Sequence, residues 1–203
     1  MFSKKELNVF AGELASRKPV PGGGGASAYV GALGAALGTM AAELTCGKKK
    51  YLHHTSELED IIRRLNELRH ELISLVDGDA EAFAPLARIY AIPHGTPGRE
   101  EQMEVCLRRA ADAPMQIVRC CCRCIELLAE LTDICAPLAV SDAATGVVLC
   151  RAALLGGAVN VRVNTHYMRD RDYAAALDQE TVQLAEKYGR LTDDLYDKIW
   201  KML

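Results

Sequence analysis

The chain has 203 residues, half of them hydrophobic, and a formal net charge of −3. That is enough apolar material for a buried core, and residues 1–203 are expected to form a single domain. The small net charge and the 5% aromatic content exclude an electrostatic or stacking platform for nucleic acid, and the opening MFSKKELNVFAGEL lacks the apolar core and cleavage site of a secretory signal.

Helical periodicity runs through nearly the whole chain, and no stretch alternates as a half-buried strand would. Ser3-Lys4-Lys5-Glu6 has capping-box spacing and opens a first helix carrying Leu7, Phe10 and Leu14. Pro19 and Pro21 stop it. Four consecutive glycines, Gly22–Gly25, predict a turn that feeds a second helix over about 26–45. On that helix Gly31, Ala35, Gly38 and Ala42 recur at i, i+4, i+7 and i+11, a smooth stripe that lets another backbone come close. Each interior glycine costs about 1 kcal/mol relative to alanine. The pattern therefore needs a packing reason, at the centre of a bundle or at a subunit interface. Gly22–Ala42 carries no charge and is about long enough to cross a bilayer, but glycine and alanine gain little from lipid. A buried central helix is expected, with no membrane partner.

A third helix is predicted over about 56–90, with Leu58, Ile61, Leu65, Leu68 and Leu72 on its apolar side and bends near Gly78 and Pro85. Pro93-His94-Gly95-Thr96-Pro97-Gly98 is the clearest turn. A fourth helix spans about 99–131, interrupted at Pro114. After Pro137, Ser141 or Asp142 caps a fifth helix to about residue 163. The last helix opens at Asp170 or Asp172 and runs to Leu203. In it Leu177, Leu184 and Leu191, and likewise Tyr188, Leu195 and Met202, recur every seven residues as a seam against another helix. The fold class is all-α, a single-domain bundle of long helices.

The glycines belong to no nucleotide motif. Gly47-Lys48 is followed by Lys49 rather than serine or threonine, and no strand precedes Gly23-x-Gly25-x-x-Ala28. Gly22, Gly23, Gly24 and Gly25 are either a plain linker or a cradle that offers backbone N–H groups at a helix N-terminus to an anion. Lys48, Lys49 and Lys50 are either a solvated helix end or, through Lys48 or Lys50, a site for carboxylates, with Tyr51 lining the apolar part of the ligand. Asp142, in AVSDAATG, is a cap or a proton-transfer group; Asp79, in VDGDAEAF, is a surface acid or has that same role. Asn160 and Asn164 lie one turn apart and either tie helices together or hydrogen-bond a heterocycle. Cys120, Cys121, Cys122 and Cys124 contain one CxxC without a second ligand pair. They are expected to be small buried groups, and no metal site is expected. Eight cysteines without a secretory signal read as the reduced thiols of a cytoplasmic protein.

Several segments then line up in order: Pro21 to Gly25, the small-residue helix, Gly47-Lys48-Lys49-Lys50-Tyr51, Asp79-x-x-x-Phe83, Ala110-x-x-x-Pro114, Ser141-Asp142, and Gly157-Ala158-Val159-Asn160-Val161-x-x-Asn164. From about Leu7 to Trp200 this series resembles the formiminotetrahydrofolate cyclodeaminase / methenyltetrahydrofolate cyclohydrolase family. The resemblance implies an all-helical homodimer that binds folate in a cleft. A cyclodeaminase closes 5-formiminotetrahydrofolate to 5,10-methenyltetrahydrofolate and releases ammonia. A cyclohydrolase opens the methenyl compound with water to 10-formyltetrahydrofolate. The first is the leading expectation, the second its alternative, and a non-catalytic folate- or anion-binding dimer the third. No cofactor or metal beyond the tetrahydrofolate substrate is implied. The implied catalytic set is Asp142, Asp79 and Lys48; the implied substrate contacts are Gly22, Gly23, Gly24, Gly25, Lys50, Tyr51, Ser141, Asn160 and Asn164. One departure stands out: where the family tends to carry a turn with glycine and asparagine before Ser-Asp, this chain reads Ile134-Cys135-Ala136-Pro137-Leu138-Ala139.

Overall fold

In a computed structural model that describes residues 1–201, the α-helices follow in the order α1 (Leu7–Leu14), α2 (Gly23–Thr45), α3 (Thr55–Tyr90), α4 (Arg99–Ile134), α5 (Val140–His166) and α6 (Arg171–Trp200). No strand occurs among the described residues. Met202 and Leu203, where the last seam was expected to end, lie outside them.

Helix α2 runs through the middle of the bundle, packed along α3 and α5 and touching α4. Its stripe of small residues is what permits this. A Cβ on Gly34 would stand 2.5 Å from Cys150 Sγ and 2.9 Å from the Gly146 carbonyl oxygen, and one on Gly38 would stand 2.7 Å from Leu128 Cδ2. At Gly34 and Gly146 the two helices meet backbone to backbone. The stripe therefore serves the inside of one chain. Cys121, Cys124 and Cys150 are fully buried around it. Burial pushes the Cys121 thiol well above its ordinary range, so it stays neutral and packs as a small apolar group.

Several local expectations are corrected. The capping box does not form: the Ser3 hydroxyl and the Phe2 N–H both donate to the Asp77 carboxylate on α3, a charged acceptor that outcompetes a local cap. Gly23, Gly24 and Gly25 are not a loop but the first turn of α2, and among the described residues positive φ occurs only at Gly47, Gly95 and Gly98. Helices α3 and α4 run unbroken through Pro85 and Pro114. A short 3₁₀ turn, Pro137–Ala139, leads into α5, so Ser141 and Asp142 sit within its first turn and neither caps it. At α6 the expected cap is present: the Asp170 carboxylate accepts from the Tyr173 N–H at 3.0 Å. Tyr188 and Leu195 of its seam are buried against the core, and Leu177, Leu184 and Leu191 are half-buried beside it.

Two stretches, Gly23–Thr45 and Pro137–His166, are long and apolar enough to cross a membrane. Both run along other helices of the bundle. Because α2 is antiparallel to both α3 and α5, those two point the same way. Both extend past the start of α2, and the gap they leave there is floored by α4.

Candidate functional site

That gap holds a cavity of about 120 Å³. Gly22, Gly23 and Gly24 close it from behind. Asp79 and Phe83 come from α3, Ala110 and Pro114 from α4, and Asn160, Val163 and Asn164 from α5.

Asp79 sits against the start of α2, where its Oδ2 accepts from the Gly25 N–H at 2.9 Å. Burial pushes its carboxyl above the ordinary range, and the Gly25 hydrogen bond opposes part of that rise. The glycines are needed here for closeness rather than for backbone freedom. A Cβ on Gly24 would stand 2.1 Å from Asp79 Oδ1, and one on Gly23 would stand 3.1 Å from Asn160 Nδ2.

The two asparagines are held by backbone carbonyls. Asn160 Nδ2 donates to Gly156 O at 2.8 Å; Asn164 Nδ2 donates to Asn160 O at 2.9 Å and to Ala110 O at 3.1 Å. The last contact explains why α4 runs straight through a proline. Pro114 has no N–H to give the carbonyl four residues back, and Asn164 supplies the missing donor from across the interface. Asn164 spends both of its N–H groups on backbone and Asn160 spends one, which leaves two Oδ1 acceptors and one Asn160 N–H beside a carboxyl of raised pKa. Such a set offers acceptors to the N–H donors of a polar heterocycle and a carboxyl able to exchange a proton.

Asn164→Ala is expected to cost about 1–3 kcal/mol, because the Ala110 carbonyl is left buried without a partner. Pro114→Ala in the same chain restores an N–H and recovers part of the loss. Urea unfolding of the two single variants and the double variant measures both terms. A double variant no more stable than Asn164→Ala would contradict this account.

The remaining expected residues lie elsewhere. Helix α2 has 23 residues and so separates Gly23 from Thr45 by roughly 33 Å. Lys48, Lys50, Tyr51, Ser141 and Asp142 gather at the far end, and within one chain they do not join Asp79. Lys48 and Lys50 are exposed, and Lys50 Nζ lies 5.5 Å from the centre of the Tyr51 ring. The buried Cys135 stands between Lys48 and Asp142: burial raises its thiol, Thr45 and Lys48 draw it down, and Asp142 pushes it up. The Ala136 N–H donates to Thr45 Oγ1 at 3.0 Å. The altered Ile134–Ala139 segment thus seals the end of α2 and has no part in the Asp79 cleft. Ser141 borders a different surface groove, with Tyr196 and Trp200.

Phe83, Ala110 and Pro114 line the cleft without having been given a role, and Val163 was not singled out. Phe83 lies four residues after Asp79 on one helix face and was legible by that spacing. The pairing of Pro114 with Asn164 crosses two helices and leaves no local signal.

Known proteins resemble this chain along nearly its whole length. The family profile described as Formiminotransferase-cyclodeaminase matches residues 6–183. The chain is 33% identical to the methenyltetrahydrofolate cyclohydrolase of Methylorubrum extorquens, with 98% of each chain covered. It is 32% identical to the formimidoyltransferase-cyclodeaminase of Rattus norvegicus over 81% of its own length, but spans only 31% of that protein. The crystal structure of a formiminotetrahydrofolate cyclodeaminase from Thermotoga maritima superposes with a TM-score of 0.84 at 28% identity, covering 100% of this chain and 98% of that one. On the profile match and the end-to-end similarity, the chain belongs to the formiminotransferase-cyclodeaminase family.

Proposed function

We propose that the protein is a folate one-carbon enzyme acting at the carbon between N5 and N10 of tetrahydrofolate, with Asp79 as its proton-transfer group. The observation that carries the proposal is the raised carboxyl of Asp79, held on the first amides of α2 beside Asn160 and Asn164. In the leading reading, N10 of 5-formiminotetrahydrofolate attacks the formimino carbon and the N5–C–N10 ring closes. With the formimino group protonated at the start, Asp79 receives the N10 proton and returns it to the amino group, which departs as ammonia and leaves the 5,10-methenyltetrahydrofolate cation. A second reading is favoured by the end-to-end match to a cyclohydrolase. There water adds to the methenyl carbon, and Asp79 takes one of its protons and passes it to N5 as the C–N5 bond breaks; the hydroxyl's remaining proton leaves to solvent as the formyl C=O forms, giving 10-formyltetrahydrofolate. Neither sequence of steps calls for a metal or a redox cofactor.

The working unit in this reading is a cytoplasmic homodimer in which each copy, residues 1–203, is one domain. Its support is the division of the expected residues between the two ends of α2, together with exposed apolar stripes. Leu33, Met40 and Leu44 lie on the outer face of α2, and Val148, Leu155 and Val159 on that of α5. An antiparallel pairing of these faces carries the Lys48, Lys50, Tyr51, Ser141 and Asp142 end of one copy toward the Asp79 cleft of the other. Gly22–Gly25 then back the folate rather than grip its carboxylates.

The test is to incubate the purified protein with 5-formiminotetrahydrofolate and assay both ammonia and the near-ultraviolet absorbance of the methenyl product. A parallel reaction starts from 5,10-methenyltetrahydrofolate. Ammonia release with methenyl formation is the expected result. Loss of methenyl absorbance above the buffer rate, with no ammonia from the other substrate, selects the cyclohydrolase. No change in either reaction overturns the catalytic reading.

A further inference from the structure

The helix faces that line the cleft run on beyond Phe83. On α3 Asp79, Phe83 and Tyr90 share one face, since eleven residues make just over three full turns. On α5 Asn160, Asn164 and Tyr167 do the same, Tyr167 being the residue on which the helix closes. Both rows start beside Gly23 and Gly24 and point to the same end of the bundle. On α4, which runs the opposite way, Arg99 stands eleven residues before Ala110 and so on the same face as that floor residue.

Tyr90, Tyr167 and Arg99 therefore converge from three helices at the outer end, Tyr90 roughly 16 Å beyond Asp79 and Tyr167 roughly 10 Å beyond Asn160 by helical rise. The phenol of Tyr90 registers both neighbours: burial and Tyr167 push its pKa up, and Arg99 draws it down. The two tyrosines are substantially exposed. Arg99 is not; it retains 7% of its accessible surface. Its Nε donates to Ile92 O at 2.8 Å, and its guanidinium has no carboxylate partner among the described residues. Its two terminal nitrogens have no partner among the described residues and form a fork of carboxylate shape.

The geometry points to this outer end as the subsite for the substrate's tail: Phe83, Tyr90 and Tyr167 flank an aromatic ring, and Arg99 takes the carboxylate beyond it. The inference rests on the folate reading, because the benzoyl-glutamate half of a folate is a flat ring ending in carboxylates. It also separates the tail from the lysines at the far end of α2.

The experiment compares kcat/KM for the glutamyl substrate with that for its des-glutamyl, pteroate form, using whichever folate the protein turns over. The parent is expected to prefer the glutamyl compound about tenfold or more, as a charge-assisted contact does. Arg99→Gln is expected to erase most of that preference through KM of the glutamyl compound. Tyr167→Leu, at an exposed position, is expected to raise KM for both compounds several-fold. If Arg99→Gln does not fold, Arg99→Lys serves instead; it keeps the charge without the fork and is expected to reduce the preference part-way. A preference that survives the arginine variant but is lost in Lys48→Ala overturns the inference, as does a parent without preference. Turnover of neither compound overturns the folate reading itself, and this inference with it.

Discussion

Asp79→Asn is expected to lower turnover about 10²–10⁴-fold, the usual contribution of a positioned acid–base group. The same change is expected to leave the protein at least as stable as the parent at neutral pH. Burial raises the Asp79 carboxyl, so between its ordinary and its raised pKa the folded state holds a proton that the unfolded chain has released. Stability is then fullest below the ordinary value, falls as pH rises toward the raised one, and stays reduced above it. Asparagine removes that loss and still offers an oxygen to the Gly25 N–H, 2.9 Å away in the parent. Thermal unfolding between pH 4 and pH 7 measures the effect directly. A parent curve that gains stability across this window relative to Asp79→Asn would contradict the assignment of a raised carboxyl. A variant with near-parental turnover would remove Asp79 from the chemistry.

Gly24→Ala reaches the same carboxyl from the other side and is the second large effect expected. Its Cβ would stand 2.1 Å from Asp79 Oδ1 and 2.5 Å from Cγ, so the carboxyl must move. The cost expected is about 1–3 kcal/mol for forcing extra volume into a filled site. Activity should fall about as far as in Asp79→Asn, because a displaced base fails as an absent one does. The neighbouring positions provide a gradient. Gly23→Ala meets Asn160 Nδ2 at 3.1 Å, a contact that yields by a small side-chain shift, whereas Gly22→Ala meets nothing nearer than Pro19 O at 3.9 Å. Losses in turnover and urea midpoint are expected to rank Gly24 above Gly23 above Gly22. Equal losses at all three would mean that the run acts through helix propensity rather than through contact with Asp79.

The helical class and the placement of a small-residue helix at the centre were legible because periodicity and residue volume are local properties of the chain. The alternation of Gly31, Ala35, Gly38 and Ala42 already demanded close partners, which turned out to be Cys121 and Ala153 at Gly31 and Leu128 and Leu65 at Gly38. Helix ends were harder. Asp77 captured Ser3 from a residue far along the chain, and Asn164 let α4 continue past Pro114. Neither event leaves a trace in a sequence window, since each depends on a side chain delivered by another helix. The candidate site divided along the same line. Asp79, Asn160, Asn164 and the glycines are drawn together by packing against one helix end. Lys48 and Asp142 looked equally fit as chemistry, but the length of α2 keeps them apart in a single chain. Arg99 passed unnoticed because an arginine beside two glutamates reads as an ordinary solvated helix start, and its burial shows only in three dimensions.

The cleft owes its existence to where α2 begins rather than to any residue carved out of a wall. Its depth is consequently a question of chain length. Starting α2 one residue earlier or later moves the back of the cleft by about 1.5 Å, with the core below Gly31 untouched. Relatives that lengthen or shorten the Pro19–Gly22 approach can resize the chamber while keeping every helix contact that stabilises the bundle. A fold arranged this way tunes what it admits by sliding a piston, and its load-carrying frame need never be rebuilt.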